Sequence, residues 1–230
     1  MYETRSAVWE FIGAITPATA GSADGLGLKK LITGAAPPTV TGTASGLECA
    51  LTSASQQQLA AFSLNDVLAF DIDDLLTVHI DAALSASFAE TAFFGLASAH
   101  NATLESITAF ALFKASGNNN LLISTDDNFT DKTDIATGVT IGQTVRRFTM
   151  DFGSGVFTQV PGLALGGKAN PAFYAPNSRG DLRRVAQGAR FDMSGYSSGL
   201  QIYGGVAKAS GTNTGTLTVR RIEVVYRVAV

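Results

Sequence analysis

The chain has 230 residues, of which 46% are hydrophobic and 15% charged, and it carries a formal net charge of -3. That length suits one large core, or a core with a small appended module, and the charge content falls well below the roughly 25% of an ordinary soluble domain. With 16 basic against 19 acidic residues and no dense basic tract, the chain lacks the electrostatic footprint of a nucleic-acid binder.

Residues 1–50 read as an extended N-terminal arm that contributes strands. Short apolar pieces around Val8-Trp9-Glu10-Phe11-Ile12 and from Leu26 to Ile32 are separated by Gly, Ala, Thr and Pro, and Pro37-Pro38 with Gly42 and Gly46 forbids a continuous helix. Trp9 and Phe11 share one side of an extended segment and are the arm's candidate interface anchors. Residues 51–230 read as a β-sandwich domain, since alternation with a period of two recurs through them. It is clearest from Leu76 to Leu84, where Leu76, Val78, Ile80, Ala82 and Leu84 face one way and Thr77, His79 and Asp81 the other. Thr91–Ala97 and Ser106–Lys114 follow as strands, and Asn118-Asn119-Asn120 turns the chain into Leu121–Ser124.

Asp126 to Asp134 reads as an acidic loop, and Val145 to Phe152 resumes the alternation. From Pro161 to Asp181 the composition shifts to Pro, Gly, Asn and Ser, which reads as a long surface loop with Phe173 and Tyr174 as further interface candidates. Leu182–Ala186, Leu200–Lys208 and Thr216–Val228 complete the strands. In the last, the apolar parity switches between Leu217/Val219 and Ile222/Val224, which predicts a β-bulge at Arg220-Arg221. Many strands, turn-rich connections and no long helix define an all-β, antiparallel two-sheet sandwich or jelly roll.

Candidate sites are few. Asp71 and Asp73 are the nearest thing to an acid pair, and Glu105 and Glu223 stand alone. Asp126, Asp127, Asp131 and Asp134, with Asn128, form a weak calcium candidate. An EF-hand register is excluded because Asp131 and Thr137 occupy its Gly and Glu positions. His79 and His100 are the only imidazoles, and Cys49, the only cysteine, permits no intrachain disulfide and has no local base. No cofactor motif is present, so the expectation is a chain without catalytic activity, cofactor or metal. No apolar run reaches the roughly 18 residues of a membrane helix, and the first residues lack a secretion signal's apolar stretch. Tyr196 and Tyr203 are candidates for stacking on sugar rings.

The stretch from Asp73 to Val228 resembles a family of phage and prophage structural proteins with a concanavalin-like, lectin/glucanase-type jelly roll. The resembling segments are Leu76–Leu84, Phe94-Gly95-Leu96-Ala97, Ile107–Phe113, Thr125-Asp126-Asp127 leading to Ile135–Val139, Arg147–Phe152, Phe191–Ser194, Leu200-Gln201 and Gly215–Val219. The resemblance implies a virion protein assembled in the host cytoplasm, such as a head decoration, cement or spike protein. On that reading the arm and the long loop dock onto copies of the chain or a capsid shell, with no nucleic-acid or membrane partner. The alternative is a carbohydrate-binding module, or a tail-associated receptor-binding protein, with a glycan as partner.

Overall fold

The computed structural model describes residues 2–18, 27–64, 68–86, 88, 90–153 and 167–230. The first half of the chain forms β1 (Tyr2–Glu10), β2 (Lys29–Thr33), β3 (Thr39–Gly42), β4 (Leu47–Ala50), β5 (Gln58–Ser63), β6 (Phe70–Asp71), β7 (Leu75–Leu84) and β8 (Thr91–Ala97). A single 3₁₀ turn at Leu104–Ser106 precedes β9 (Phe110–Ser116), β10 (Asn120–Asp126), β11 (Asp131–Thr140), β12 (Arg146–Asp151), β13 (Ala172–Pro176), β14 (Leu182–Val185), β15 (Gly199–Lys208) and β16 (Thr216–Ala229).

These strands make two sheets. The first runs β14-β13-β12-β7-β16-β4-β3, with β1 also paired to β16; the second runs β11-β10-β9-β8-β15-β5-β2, with β6 paired to β15. Pairings within each sheet are antiparallel. The architecture is therefore the antiparallel two-sheet jelly roll expected from the alternation, and the concanavalin-like form that the resemblance implies.

Facing residues of the two sheets build the main core. Val78, Ile80, Phe148, Met150, Ile222 and Val224 of the first sheet meet Phe62, Phe94, Phe113 and Ile202 of the second. Aromatic rings join the layers: Phe148 lies 5.2 Å from Phe94 and 5.5 Å from Phe113, and Phe113 lies 5.4 Å from Phe173. Although Leu75 and not Leu76 belongs to the main core where the register against β16 shifts, the period-two reading of β7 holds from Val78 to Leu84, since Val78, Ile80, Ala82 and Leu84 all lie in that core. So does the bulge. The register of β16 against β7 slips between Val219 and Arg221, which brings Leu217, Val219, Ile222 and Val224 together on the dry face. At that slip the edge partner of β16 changes from β4 to β1, and the Phe11 N–H donates to the Arg220 carbonyl at 2.9 Å.

Three stretches differ from their sequence reading. In the region read as an arm, β1 pairs along nine residues with β16, and both Trp9 and Phe11 are buried, against Phe70 and Phe62 respectively. The acidic loop is shorter than its composition suggests, since β11 begins at Asp131 as an edge strand with an almost wholly wet surface. The part of Pro161–Asp181 before Gly167 lies outside the described residues. The remainder contains β13, which is inserted between β12 and β14, with Phe173 in the main core and Tyr174 buried.

Candidate functional site

Alternation in the second sheet leaves an outer face made of Leu59 and Ala61 from β5, Tyr203 and Ala207 from β15, Phe93 from β8 and Leu112 from β9. An outer sheet face open to water would carry polar residues at these positions. Here the chain between β8 and β9 folds back over it, and Ile107, Phe110 and Leu104 pack with Leu59, Phe93, Leu112 and Tyr203 as a second, smaller apolar cluster.

The covering loop is pinned at its base and its middle. The Ser98 N–H donates to the Ala109 carbonyl at 2.8 Å, and the Ala109 N–H returns a bond to Ser98 Oγ at 3.1 Å. Tyr203 Oη donates to the Asn101 carbonyl at 2.6 Å, and the Tyr203 ring lies 5.0 Å from Phe93. Burial pushes the Tyr203 phenol up, which keeps it a neutral donor to that carbonyl.

Beside this covered patch lies a cleft of about 270 Å³, floored by Leu59, Phe93 and Tyr203 and rimmed by Gln57, Thr103 and Glu105. Two lysines border it. Lys114 is held 2.6 Å from Asp134, and the ammonium of Lys208, buried at 4% exposure, donates to the carbonyls of Thr52, Gly211 and Asn213. With all three protons engaged, Lys208 acts as a clamp on the rim, and the other polar residues lining the cleft include Gln57, Thr91, Thr103 and Glu105. Glu105 is the one carboxylate among the described cleft-lining residues, whereas direct glycoside hydrolysis by either stereochemical route uses two.

The other residues singled out in the sequence are placed elsewhere. Asp71, at the end of β6, accepts the Asp73 N–H on Oδ1 at 2.9 Å and Asp73 pairs with Lys168 at 2.7 Å, so both brace the turn that follows that strand. Glu223 lies on the outer face of the first sheet, bonded to Arg221 at 2.9 Å. His79 is on that same face, with Nδ1 2.8 Å from Thr149 Oγ1, and burial followed by the positive charge of Arg147 lowers its pKa. His100 is in the covering loop, and Cys49 is buried in the main core, where desolvation raises its thiol pKa far above the ordinary range.

The acidic loop spends its carboxylates locally. Asp127 Oδ1 accepts N–H groups from Phe129 and Thr130 and its Oδ2 accepts one from Gly195, Asp126 accepts from Asn128, and Asp134 takes Lys114 and the Ser124 hydroxyl. Asp131 faces Asp126 across the β10–β11 pairing. Among the described residues no group of three or more His, Cys, Asp or Glu is arranged to hold a metal. Tyr196 packs beside the main core and donates to the Gly199 carbonyl at 3.1 Å, while Tyr203 is the buried floor residue described above.

Sequence reasoning missed the cleft. Its signal was present in β8 and β9, where Phe93 and Leu112 break an otherwise one-sided pattern and make both faces of adjacent strands apolar. Such strands need cover on both sides.

No protein-family model and no curated protein sequence matches the chain. Solved structures do match its fold. A laminarinase from Rhodothermus marinus superposes with a TM-score of 0.61 at 11% identity, covering 100% of this chain and 99% of that one. The catalytic domain of an endo-1,3-β-glucanase from Thermotoga petrophila gives 0.59 at 9% identity over 98% of each chain. Peanut lectin, solved with a nine-residue peptide, gives 0.58 at 12% identity over 99% of this chain and 100% of that one. At such identities these likenesses establish the fold alone.

They nevertheless correct the expectation drawn from the phage resemblance. The structures that share this fold over nearly full length include a lectin and several glucanases, so the head-decoration, cement or spike role and its capsid partner are withdrawn. The physical basis of that role is weak as well, because its proposed anchors Trp9, Phe11, Phe173 and Tyr174 are buried within the chain. The expectation of a chain without catalytic activity also loses its ground, because full-length matches to catalytic glucanase domains place the fold among those that carry glycan chemistry.

Proposed function

We propose that this protein binds a saccharide in the cleft on the outer face of its second sheet. The observation that carries the reading is an apolar-floored, polar-rimmed cleft on one sheet of a jelly roll whose structural neighbours include a lectin and several β-glucanases. A pyranose ring offers both surfaces such a cleft needs: its C–H faces pack on apolar atoms, and its hydroxyls pair with fixed polar groups. Leu104, Ala207 and the floor beneath them supply the first, and Gln57, Thr103 and Glu105 the second. Because the Phe93 and Tyr203 rings are covered, they stiffen the floor, and ligand contact falls to the rim.

β-1,3-Glucan oligosaccharides are the first ligands to test, since two of the neighbours are named for acting on them or as laminarinases. Calorimetric titration of the full chain is expected to show saturable binding. Gln57→Ala is expected to weaken it several-fold through loss of one neutral hydrogen bond, worth about 1 kcal/mol, and Ala207→Phe to abolish it by filling the cleft. Absence of binding across neutral and charged saccharides overturns the reading. The same mixtures are assayed for new reducing ends: turnover that disappears in Glu105→Gln adds a reaction to the binding site and assigns Glu105 as its acid.

A further inference from the structure

The adjacent arginines at the start of β12 face opposite ways, as strand geometry demands. Arg147 points from the outer face of the first sheet into a two-point ion pair with Asp81, at 2.8 and 3.0 Å. Arg146 points to the end of the sandwich, and no carboxylate among the described residues pairs with it. Its guanidinium instead lines a cleft of about 200 Å³ between the β11–β12 connection and the β13–β14 turn, beside Thr140, Thr144 and Ser178.

Three features make this a formed groove. Gly180, at φ +93°, leaves the guanidinium its room: a Cβ there would sit 2.6 Å from Arg146 Nη1. The cleft adjoins a second, of about 360 Å³, through the shared residues Thr140 and Gly142, and this one adds Asn118 and Gln143. The wall between them is fixed by Asn119, whose amide donates to the Ser85 and Ile141 carbonyls at 3.0 and 2.9 Å and whose Oδ1 accepts the Phe88 N–H. Neither cleft is lined by an Asp or Glu. The nearby Asp181 carboxylate accepts from the Asn177 amide at 3.2 Å and lies 4.0 Å from the Arg183 guanidinium.

From this we infer that the groove binds an oxyanion, a carboxylate or sulfate, at Arg146, with the amides and hydroxyls beside it pairing with the polar body that carries the anion. A guanidinium presents a planar fork that matches such groups in a two-point contact. A groove lined by one cation, the amides of Asn118 and Gln143, the hydroxyls of Thr140, Thr144 and Ser178 and no acid favours an acidic saccharide over a neutral one. That the carrier is a saccharide rests on the function proposed above; the anion subsite stands on the groove alone.

The experiment titrates the full chain and Arg146→Gln with three probes: sodium sulfate, an oligogalacturonate and a neutral β-1,3-glucan oligosaccharide of equal length. Arg146 is exposed, so the variant is expected to keep the parent melting temperature. The expected result is that the oligogalacturonate binds the parent more tightly than the neutral probe, weakens by about tenfold or more in Arg146→Gln, and weakens further with salt. The neutral probe is expected to bind both proteins alike. Arg146-dependent binding of sulfate with no binding of either saccharide keeps the anion subsite, assigns it to a free oxyanion and removes the proposed function. Acidic and sulfate binding that is unchanged within twofold by Arg146→Gln, or absent, overturns the inference while leaving neutral binding in the other cleft untouched.

Discussion

His79 shows how a single polar residue on a sheet face can make stability depend on pH. Desolvation and Arg147 push its pKa below the ordinary 6.5, with Arg221 acting in the same sense and Glu223 and Asp81 opposing. The folded state therefore binds a proton less readily than the unfolded chain. Stability from this group is complete above the unfolded pKa and is lost as pH falls through the folded one. The melting temperature is expected to drop as pH is lowered through about 6 and below, and His79→Gln is expected to flatten that drop. Asp192, lowered by its bonds from Ser194, acts in the same direction only in the more acid carboxylate range. In the core, Phe148 touches both Phe94 and Phe113. Phe148→Ala is expected to cost about 3–5 kcal/mol, read as a shift of the denaturation midpoint. Tyr203→Phe removes the bond to Asn101 and is expected to cost about 1 kcal/mol, with faster amide exchange confined to the loop between β8 and β9.

At the scale of elements, what the sequence reveals depends on how each strand is buried. Strands that alternate buried with half-buried residues, as β7 does from Val78 to Ala82, carry their own period, and the parity switch in β16 located the bulge at Arg220. Strand β11 was hidden because an edge strand with exposed residues on both sides looks like a polar loop. Strand β13 was hidden for the opposite reason: Ala172, Phe173, Tyr174 and Ala175 are all buried, so no alternation survives, and the flanking Pro and Gly dominate the composition. The acidic residues stood as a weak ligand candidate because sequence cannot show where a carboxylate spends its lone pairs; Asp127 spends them on three backbone N–H groups. The cleft needed the covering loop between β8 and β9, whose long-range contact with Tyr203 spans |i−j| = 102. The N-terminal strands belong to the core in the same non-local way. A chain starting at Gly46 lacks Trp9, Phe11, Leu28 and Val40, all buried, and is expected to fail to fold cooperatively. A two-state melt with parental midpoint would contradict that placement.

At the scale of the molecule, the two faces of the sandwich are chemically unlike. The outer face of the first sheet carries a cross-linked polar set in which Arg147 holds Asp81, and Arg221 holds Glu10 and Glu223. The outer face of the second sheet is apolar and covered, with its cleft at the margin of the cover. The proposed saccharide site lies on the second sheet, where an apolar floor of Leu59, Phe93 and Tyr203 adjoins the polar rim residues Gln57, Thr103 and Glu105. Amide chemical-shift mapping of the full chain, titrated with a β-1,3-glucan oligosaccharide, tests this most directly. The account predicts saturable shifts clustered at Gln57, Thr91, Thr103, Leu104, Glu105 and Ala207, with the His79 face of the first sheet silent. Shifts centred on that polar face, or none at saturating concentrations of neutral and acidic saccharides alike, would contradict it.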